Sequence, residues 1–227
     1  MVGDAVQDAK GAVQAGNAVK RLRSVVILNG DFQVSPGLAA EMENALVIAA
    51  DGGYRRLARR GIAPHVVVGD FDSAAPPSDV AVVAYPVEKD ETDGEIAVRT
   101  ALSEGARLIT IVGAMGGRYD MSFGHVALLR YAAREGAEAL LTDGRQAALL
   151  VPRHRMAVGP HGRTLSIIPL TPRARLQSAG LRWQLDGVTL RWDEMRGNSN
   201  RVVDDAAWIR LVAGQALAVM PYPHRPQ

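Results

Sequence analysis

Residues 25–70 read VVILNGDFQVSPGLAAEMENALVIAADGGYRRLARRGIAPHVVVGD, and this stretch decides the fold. Three short apolar runs, at 25–28, 45–50 and 66–68, alternate with two segments of helical pattern. Continuously apolar strands that are separated by helices are typical of a mainly parallel sheet with both faces covered. The stretch therefore predicts an α/β domain.

The same alternation continues to residue 143. Further strands are predicted at 80–85, 108–112 and 139–142, and helices at 54–60, 96–104 and 126–134. We expect a Rossmann-like sheet with helices on both faces over residues 23–145. Residues 1–22 are interpreted as a leader, either helical or a loose tail.

The pattern changes after residue 145, where short β-runs follow one another without helices. They lie at 147–151, 163–169, 181–185, 188–192, 208–212 and 216–220. Asp186-Gly187 is a type I′ hairpin signal, and it falls between two of these runs. Residues 146–227 are therefore predicted to form a small antiparallel β-sandwich.

Composition excludes several classes of function. The 227 residues contain no cysteine, which rules out disulfides, thiolate catalysis and zinc–thiolate sites. No run approaches 18 apolar residues, and the first residues lack a signal-peptide pattern, so we expect a cytoplasmic protein without membrane association. Net charge is only +2 and the arginines are dispersed, which argues against nucleic-acid binding.

Acidic residues follow several of the predicted strands. They are Asp51, Asp70, Asp72, Asp90 and Asp93. Ligands bind at the carboxyl ends of strands in sheets of this kind. Clustered carboxylates need a cation to cancel their repulsion, and hard oxygen ligands suit Mg²⁺, which usually shares its open positions with phosphates. The cluster therefore indicates phosphoryl-type chemistry.

Two of the acidic phrases also have a structural explanation. Asp70 and Asp72 would point to the same side of an extended strand end, with Phe71 pointing into the packing, but such an aspartate also forms turns. Asp90 or Thr92 is a candidate N-cap for the following helix. The acid density there exceeds what a cap requires.

Three further sites carry candidate ligand-binding residues. Gly113–Arg118 matches neither a P-loop nor a dinucleotide fingerprint, yet its glycines would let a phosphate approach, with Arg118 as the clamp and Asp120 completing the acid set. Lys89 is either a phosphate contact or an exposed loop residue. Ser199-Asn200 is either a turn or a hydrogen-bonding site for a heterocycle.

These phrases, taken in order, resemble the thiamine pyrophosphokinase family. The resemblance rests on residues 50–53, 69–73, 89–93 and 116–120, and in the second half on 165–170, 180–185 and 199–200. It implies a homodimer in which thiamine lies between the α/β domain of one subunit and the sandwich of the other. The implied reaction transfers the pyrophosphoryl group of ATP to the hydroxyl of thiamine and leaves AMP.

The resemblance also implies a role for each candidate residue. Mg²⁺ would be held by Asp51, Asp70, Asp72 and Asp93, with Asp90 in support. Arg118 would clamp the phosphates and Asp120 would bind the nucleotide–metal complex. Asp72 or Asp93 would accept the hydroxyl proton. Lys89 and Thr92 would line the substrate side, Gly52 would take part in cofactor binding, and Ser199 and Asn200 would face the pyrimidine of thiamine.

One position departs from the family pattern. Many relatives have His directly after the aspartate of Gly-Gly-Arg-x-Asp, whereas Met121 stands there in this chain, with His125 four residues further on. Any supporting role of that histidine is then lost or has moved to His125.

Two alternatives remain open: a pyrophosphokinase that acts on another alcohol, such as a hydroxymethylpterin, and a non-catalytic sensor of thiamine or nucleotide. Trp183 and Trp192 are predicted to pack within the sandwich.

Overall fold

The computed structural model describes residues 22–71, 80–86 and 90–222, and for Asp51 it describes the backbone alone. The chain divides into two compact units, Met1–Asp143 and Gly144–Gln227. Apart from Leu22, the predicted leader at 1–22 lies outside the described residues. None of the described helices is long and apolar enough to cross a membrane.

The first unit contains a sheet of six parallel strands with helices packed on it. Its strands are β1 (Arg23–Ile27), β2 (Leu46–Ala50), β3 (Val66–Gly69), β4 (Ala81–Ala84), β5 (Leu108–Val112) and β6 (Glu138–Thr142). Its described helices are α1 (Pro36–Glu43), α2 (Asp51–Ala58), α3 (Asp93–Ser103) and α4 (Tyr119–Arg134). The order across the sheet is β6-β5-β1-β2-β3-β4.

The strands β2 and β3 are covered on both faces. All five residues of β2 and all four of β3 are buried, although successive side chains point to opposite sides of a sheet. Full burial of consecutive residues therefore requires cover on each side, and α2 and α3 pack against both strands. The predicted parallel α/β architecture is confirmed.

The strand order places a topological switch point between β1 and β5. The chain runs outward from β1 to β4, then returns to the other side of β1 to form β5. At this point Gly30 N–H donates to Gly113 O at 3.0 Å, and a Cβ on Gly30 would lie only 2.2 Å from that oxygen. Ligands of open α/β sheets bind in the crevice outside such strand ends.

The second unit consists of two antiparallel sheets. Its strands are β7 (Gln146–Leu150), β8 (Met156–Ala157), β9 (Thr164–Pro169), β10 (Arg173–Ala179), β11 (Thr189–Arg191), β12 (Asn200–Arg201), β13 (Trp208–Ala213) and β14 (Ala216–Pro221). Their orders are β12-β9-β14-β7 and β11-β10-β13-β8. Burial alternates along β9 and β10, as it does in a sandwich with one face of each sheet inside. The second part of the predicted fold is therefore also confirmed.

One predicted strand of this unit was wrong. Residues 181–185 form a loop in which only Leu181 makes a bridge, to Val202, whereas the unpredicted β10 is the long strand. Two hydrogen bonds with Ser178 of β10 hold the loop and the following turn against that strand: Leu185 N–H donates to Ser178 Oγ at 2.9 Å, and Ser178 N–H donates to Asp186 Oδ2 at 3.1 Å. Asp186-Gly187 therefore turns the chain without forming the predicted hairpin.

Candidate active site

The start of α2 lies directly against the end of β1. A Cβ on Gly53 would lie 2.1 Å from Ile27 O, and one on Gly52 would lie 2.3 Å from the Cγ of Asn29. Only glycines permit this approach. The Ala-Asp-Gly-Gly phrase thus brings the backbone of Asp51, the first residue of α2, to the carboxyl edge of the sheet.

Asp70 follows the neighbouring strand. β2 and β3 pair in parallel with Ala50 opposite Val68, so Asp51 and Asp70 come one and two residues after paired strand ends. The next residue, Phe71, has a φ of 53° and is in the left-handed region. Our expectation of an extended Asp-Phe-Asp segment was therefore wrong. A left-handed phenylalanine costs about 1–2 kcal/mol, and such strain concentrates at functional sites. Asp72 lies outside the described residues.

The acidic phrase at residues 90–93 is anchored by a capping box at the start of α3. Thr92 is the N-cap: its N–H donates to Glu95 Oε2 at 2.8 Å, and its Oγ1 accepts from Glu95 N–H at 3.3 Å. Asp93 is thereby fixed as the first helical residue, while Asp90 is exposed. The helix packs across β1, β2 and β3, which brings Asp93 to the same edge of the sheet. Lys89 lies outside the described residues.

The donor set at this edge fits Mg²⁺ in chemical type. Asp51, Asp70, Asp90 and Asp93 offer carboxylate oxygens, which are the ligands that Mg²⁺ prefers. Among the described side chains, which omit Asp51 and Asp72, no three acidic or histidine groups converge as a metal site. A metal position therefore remains a proposal that depends on the remaining carboxylates of the cluster.

Arg118 and Asp120 form an exposed pair at the start of α4. Arg118 is the N-cap residue, and its guanidinium donates to both carboxylate oxygens of Asp120, with Nε 3.1 Å from Oδ1. The Arg118 hydrogen bond, with help from the N–H of Met121, lowers the pKa of Asp120 to about 2. Both side chains are more than 60% exposed, at 75% and 64%, so the pair is accessible to a ligand.

His125 supports the loop that precedes this pair. It is buried, and its Nδ1 lies 2.7 Å from Ala114 O, so Nδ1 carries the proton and donates to that carbonyl. Ser122 Oγ donates to Arg118 O at 3.0 Å. His125 and Ser122, both on α4, therefore hold the loop at residues 113–118 in place through hydrogen bonds. Met121 is half-buried in a groove of about 790 Å³ that Thr92 and Asp120 also line.

In the second unit, Ser199 and Asn200 are positioned differently from each other. Ser199 has a left-handed φ of 57° and is exposed, and its N–H donates to Ser166 Oγ at 3.0 Å. Asn200 is buried: its Oδ1 accepts from Trp183 N–H at 3.2 Å, and its Nδ2 donates to Trp183 O at 2.7 Å. The Asn200 amide thus holds the backbone of Trp183.

The tryptophans of this unit are not packed inside it. Trp183 is 55% exposed and Trp192 is 62% exposed, so the prediction that they pack within the sandwich was wrong. Trp183 and Ser199 line a cavity of about 530 Å³. Asn200 fixes the Trp183 backbone, and the exposed indole lies at the rim of this cavity with the guanidinium of Arg182 over its ring, 5.1 Å from the centroid.

Sequence reasoning missed two groups near the strand ends. Asn29, directly after β1, is exposed beside Gly52, and Arg56 Nε approaches its Oδ1 at 3.4 Å. Its place after a central strand was the available signal. The second is the ion pair of Arg99 with Glu91, eight residues apart, which no short-range spacing rule connects.

Comparisons with known proteins assign both units to one family. Residues 39–141 match the family model described as thiamin pyrophosphokinase, catalytic domain. Residues 152–215 match the model described as thiamin pyrophosphokinase, vitamin B1 binding domain. The first match lies within Met1–Asp143 and the second within Gly144–Gln227, so each compact unit carries one of the two domains.

Curated relatives and solved structures agree with this assignment. Thiamine pyrophosphokinase of Bacillus subtilis (strain 168) is 29% identical over 204 residues, which cover 83% of this chain and 94% of that protein. Thiamine pyrophosphokinase 1 of Oryza sativa subsp. japonica is 28% identical over 200 residues, which cover 72% of this chain and 74% of that protein. The crystal structure of the Bacillus subtilis thiamine pyrophosphokinase has a TM-score of 0.76 at 23% identity, and it covers 88% of this chain and 98% of that one. At that identity the structural likeness bears on the fold alone.

Proposed function

Since this chain belongs to the thiamin pyrophosphokinase family, we propose that it transfers the pyrophosphoryl group of ATP to the hydroxyl of thiamine, giving thiamine diphosphate and AMP. The observation that carries the proposal is the presence of both family domains, one in each compact unit. The acidic carboxyl edge of the parallel sheet supports it, because such an edge suits a metal–nucleotide complex.

The reaction needs positioning more than covalent help. The hydroxyl oxygen of thiamine forms a bond to the β-phosphorus of ATP. The bond between that phosphorus and the oxygen that bridges it to the α-phosphorus breaks, and AMP leaves with that oxygen. The hydroxyl proton goes to a carboxylate, for which Asp72 and Asp93 are the candidates. Asp93 is held at the first turn of α3 by the capping box, so its backbone is preorganised for this role.

Mg²⁺ fits this scheme as the cofactor. Asp51, Asp70, Asp72 and Asp93 would hold it with support from Asp90, and it would neutralise phosphate charge in the transition state. The Gly52–Gly53 contact with β1 and the cap of α3 fix the backbones that carry two of these ligands. The described part of the chain thus contributes rigid supports for the carboxylates.

Arg118 is the proposed phosphate clamp. In the structure its guanidinium is occupied by Asp120, at an exposed position beside the switch point. A triphosphate is a stronger acceptor for a guanidinium than a single carboxylate. We therefore propose that nucleotide binding draws Arg118 onto the phosphates and frees Asp120 for the nucleotide–metal complex. Lys89 and Thr92 complete the substrate side.

Thiamine is proposed to enter through the second unit. Trp183 and Ser199 line its cavity, and an indole face attracts a cationic ring. Asn200 would contribute by holding Trp183, and contact with the pyrimidine by Ser199 and Asn200 stays a prediction.

We further propose a homodimer with the site between subunits. Residues 1–143 carry 14 basic and 19 acidic residues, and residues 144–227 carry 12 and 5. Opposite net charges make the first unit of one subunit complementary to the second unit of another. A cytoplasmic location, where ATP is supplied, is part of the same proposal.

The test is product formation by the purified chain with Mg–ATP and either thiamine or a hydroxymethylpterin. We expect AMP release that depends on thiamine, with Asp72→Asn inactive and folded. AMP release with the pterin but not with thiamine would support pyrophosphoryl transfer and would show that the substrate is a different alcohol. Saturable thiamine binding without AMP release would instead identify a sensor.

A further inference from the structure

An arginine on α3 reaches back to the acidic phrase that precedes the helix. Arg99 Nη1 donates to Glu91 Oε1, between Asp90 and Thr92. The guanidinium also lies over the ring of Tyr85, 5.8 Å from its centroid. Arg99 is only 23% exposed and Glu91 is 41% exposed, so water screens this ion pair less than a surface pair.

The contacts of Arg99 connect two parts of the proposed metal edge. Tyr85 follows β4, and its N–H donates to Gly69 O at 3.0 Å, directly before Asp70. Glu91 lies one residue before the N-cap of α3. A single guanidinium thus links the end of β4, beside Asp70, to the phrase that carries Asp90 and Asp93.

The capping box does not account for Asp90 and Glu91. It fixes Thr92 and the helix behind it, whereas Asp90 and Glu91 precede the cap. Four acids, Asp90, Glu91, Asp93 and Glu95, stand within six residues, and their mutual repulsion favours other arrangements of the phrase. The hydrogen bond from Arg99 offsets the charge of the Glu91 carboxylate, which reduces the repulsion among these four acids.

The burial of Arg99 is costly for a residue with only a stabilising role. Its Nε and Nη2 are buried and make no hydrogen bond of good geometry to a described residue, although Glu91 and Tyr85 together raise the pKa of its guanidinium. Buried donors without partners reduce stability. An apolar residue on α3 would avoid this cost, which points to a benefit elsewhere.

We propose that Arg99 is a positioning residue for the metal edge: it holds Glu91 away from the Mg²⁺ ligands and fixes residues 90–92 so that Asp90 and Asp93 face the nucleotide complex. This inference rests on the proposed function. It assigns Arg99 no contact with substrate.

The experiment compares Arg99→Gln, Glu91→Gln and the double variant with the unmodified chain. The control is Arg191→Gln, which removes an exposed arginine of the second unit that pairs with Asp193 at 2.7 Å. In the protein without ligands, we expect hydrogen exchange of residues 90–95 to become about tenfold faster in both single variants. The double variant should be no faster than either, and the control should be unchanged.

Metal affinity provides the second measurement. Calorimetric titration with Mg²⁺ and ATP should show about tenfold weaker Mg²⁺ binding for Arg99→Gln, as when the support of a ligand is lost. The Mg²⁺ concentration for half-maximal rate should rise equally, with kcat at saturating Mg²⁺ and the KM for thiamine unchanged. Arg99→Lys should restore part of the affinity.

Two results would overturn the proposal. Unchanged exchange at residues 90–95 would show that the ion pair does not order the phrase. Faster exchange with unchanged Mg²⁺ affinity would reduce Arg99 to a structural role. A wild-type chain without turnover would refute the proposed function, and the calorimetric comparison would still judge Arg99.

Discussion

The absence of a Cβ atom at Gly53 allows the start of α2 to lie against the end of β1. The missing Cβ would lie 2.1 Å from the backbone oxygen of Ile27, which cannot move without displacing β1. We expect Gly53→Ala to lower the free energy of unfolding by about 1–3 kcal/mol, the usual cost of overpacking.

The control for this prediction is Gly124→Ala on α4. Apart from its chain neighbours and the backbone of its own helix, no atom of the described residues lies within 4 Å of a Cβ built there, so this alanine should stabilise the protein by about 0.5–1 kcal/mol through helix propensity. Urea unfolding of both variants measures the difference. Equal stabilities would contradict the close contact between α2 and β1.

The Arg118–Asp120 pair predicts a measurable pKa. The guanidinium of Arg118 lowers the pKa of Asp120 from 3.8 to about 2, so the carboxylate stays ionised until the pH falls to that value. In Arg118→Ala the pKa should rise towards 3.8, and the KM for ATP should increase. Carboxyl NMR titration measures the pKa. An unchanged value in the variant would show that Arg118 is not its cause.

At the scale of secondary-structure elements, the N-cap of α3 allows effects on stability to be distinguished from effects on catalysis. Thr92→Ala removes the capping box and should cost about 1 kcal/mol of stability. Ser35→Ala is the matched control, since Ser35 Oγ caps α1 by accepting from Leu38 N–H at 3.3 Å. Both should lower the melting temperature similarly.

Only Thr92→Ala should also lower kcat/KM for Mg–ATP, because Thr92 is itself proposed to line the substrate side and α3 carries Asp93, whereas α1 carries none of the proposed ligands. Steady-state kinetics after thermal melting compares the two variants. Equal kinetic effects of the two caps would remove α3 from the site.

The elements that were predictable from sequence are those with strong local signals. Apart from Ser24 in β1, the buried runs of β1, β2 and β3 are apolar, and Thr92 with Glu95 is a local pattern. By contrast, β10 contains two arginines and a glutamine on its exposed face, which hid its alternation. The Leu181–Leu185 segment has the composition of a strand, but the Ser178 and Asp186 hydrogen bonds hold it as a loop.

For the whole molecule, the arrangement of the site between subunits can be tested by complementation. Asp72→Asn disables the first unit, and Trp183→Ala, at an exposed side chain, disables the second without loss of fold. A mixture of the two inactive chains, unfolded and refolded together, should recover about one quarter of wild-type activity. Each mixed dimer would contain one intact site.

A site within a single chain predicts the opposite result, since each chain of the mixture would then carry one lesion. No recovery, with dimers confirmed by sedimentation, would place the site within one subunit. Asp72→Asn mixed with unmodified chain serves as the control for refolding.

The candidate site was predictable from sequence only in part. The order of the acidic phrases along the strands located the edge, because strand ends of a parallel sheet share one side. The exposure of Trp183, the Asn200 contact with its backbone and the support of residues 113–118 by His125 depend on tertiary contacts between distant residues. No spacing rule contains them.

The central claim concerns which group is transferred, and phosphorus NMR of the complete reaction tests it most directly. With purified chain, Mg–ATP and thiamine, AMP and thiamine diphosphate should appear in equal amounts and neither should form without thiamine. ADP with thiamine monophosphate would mean that the γ-phosphoryl group moves instead, and that result would contradict the account.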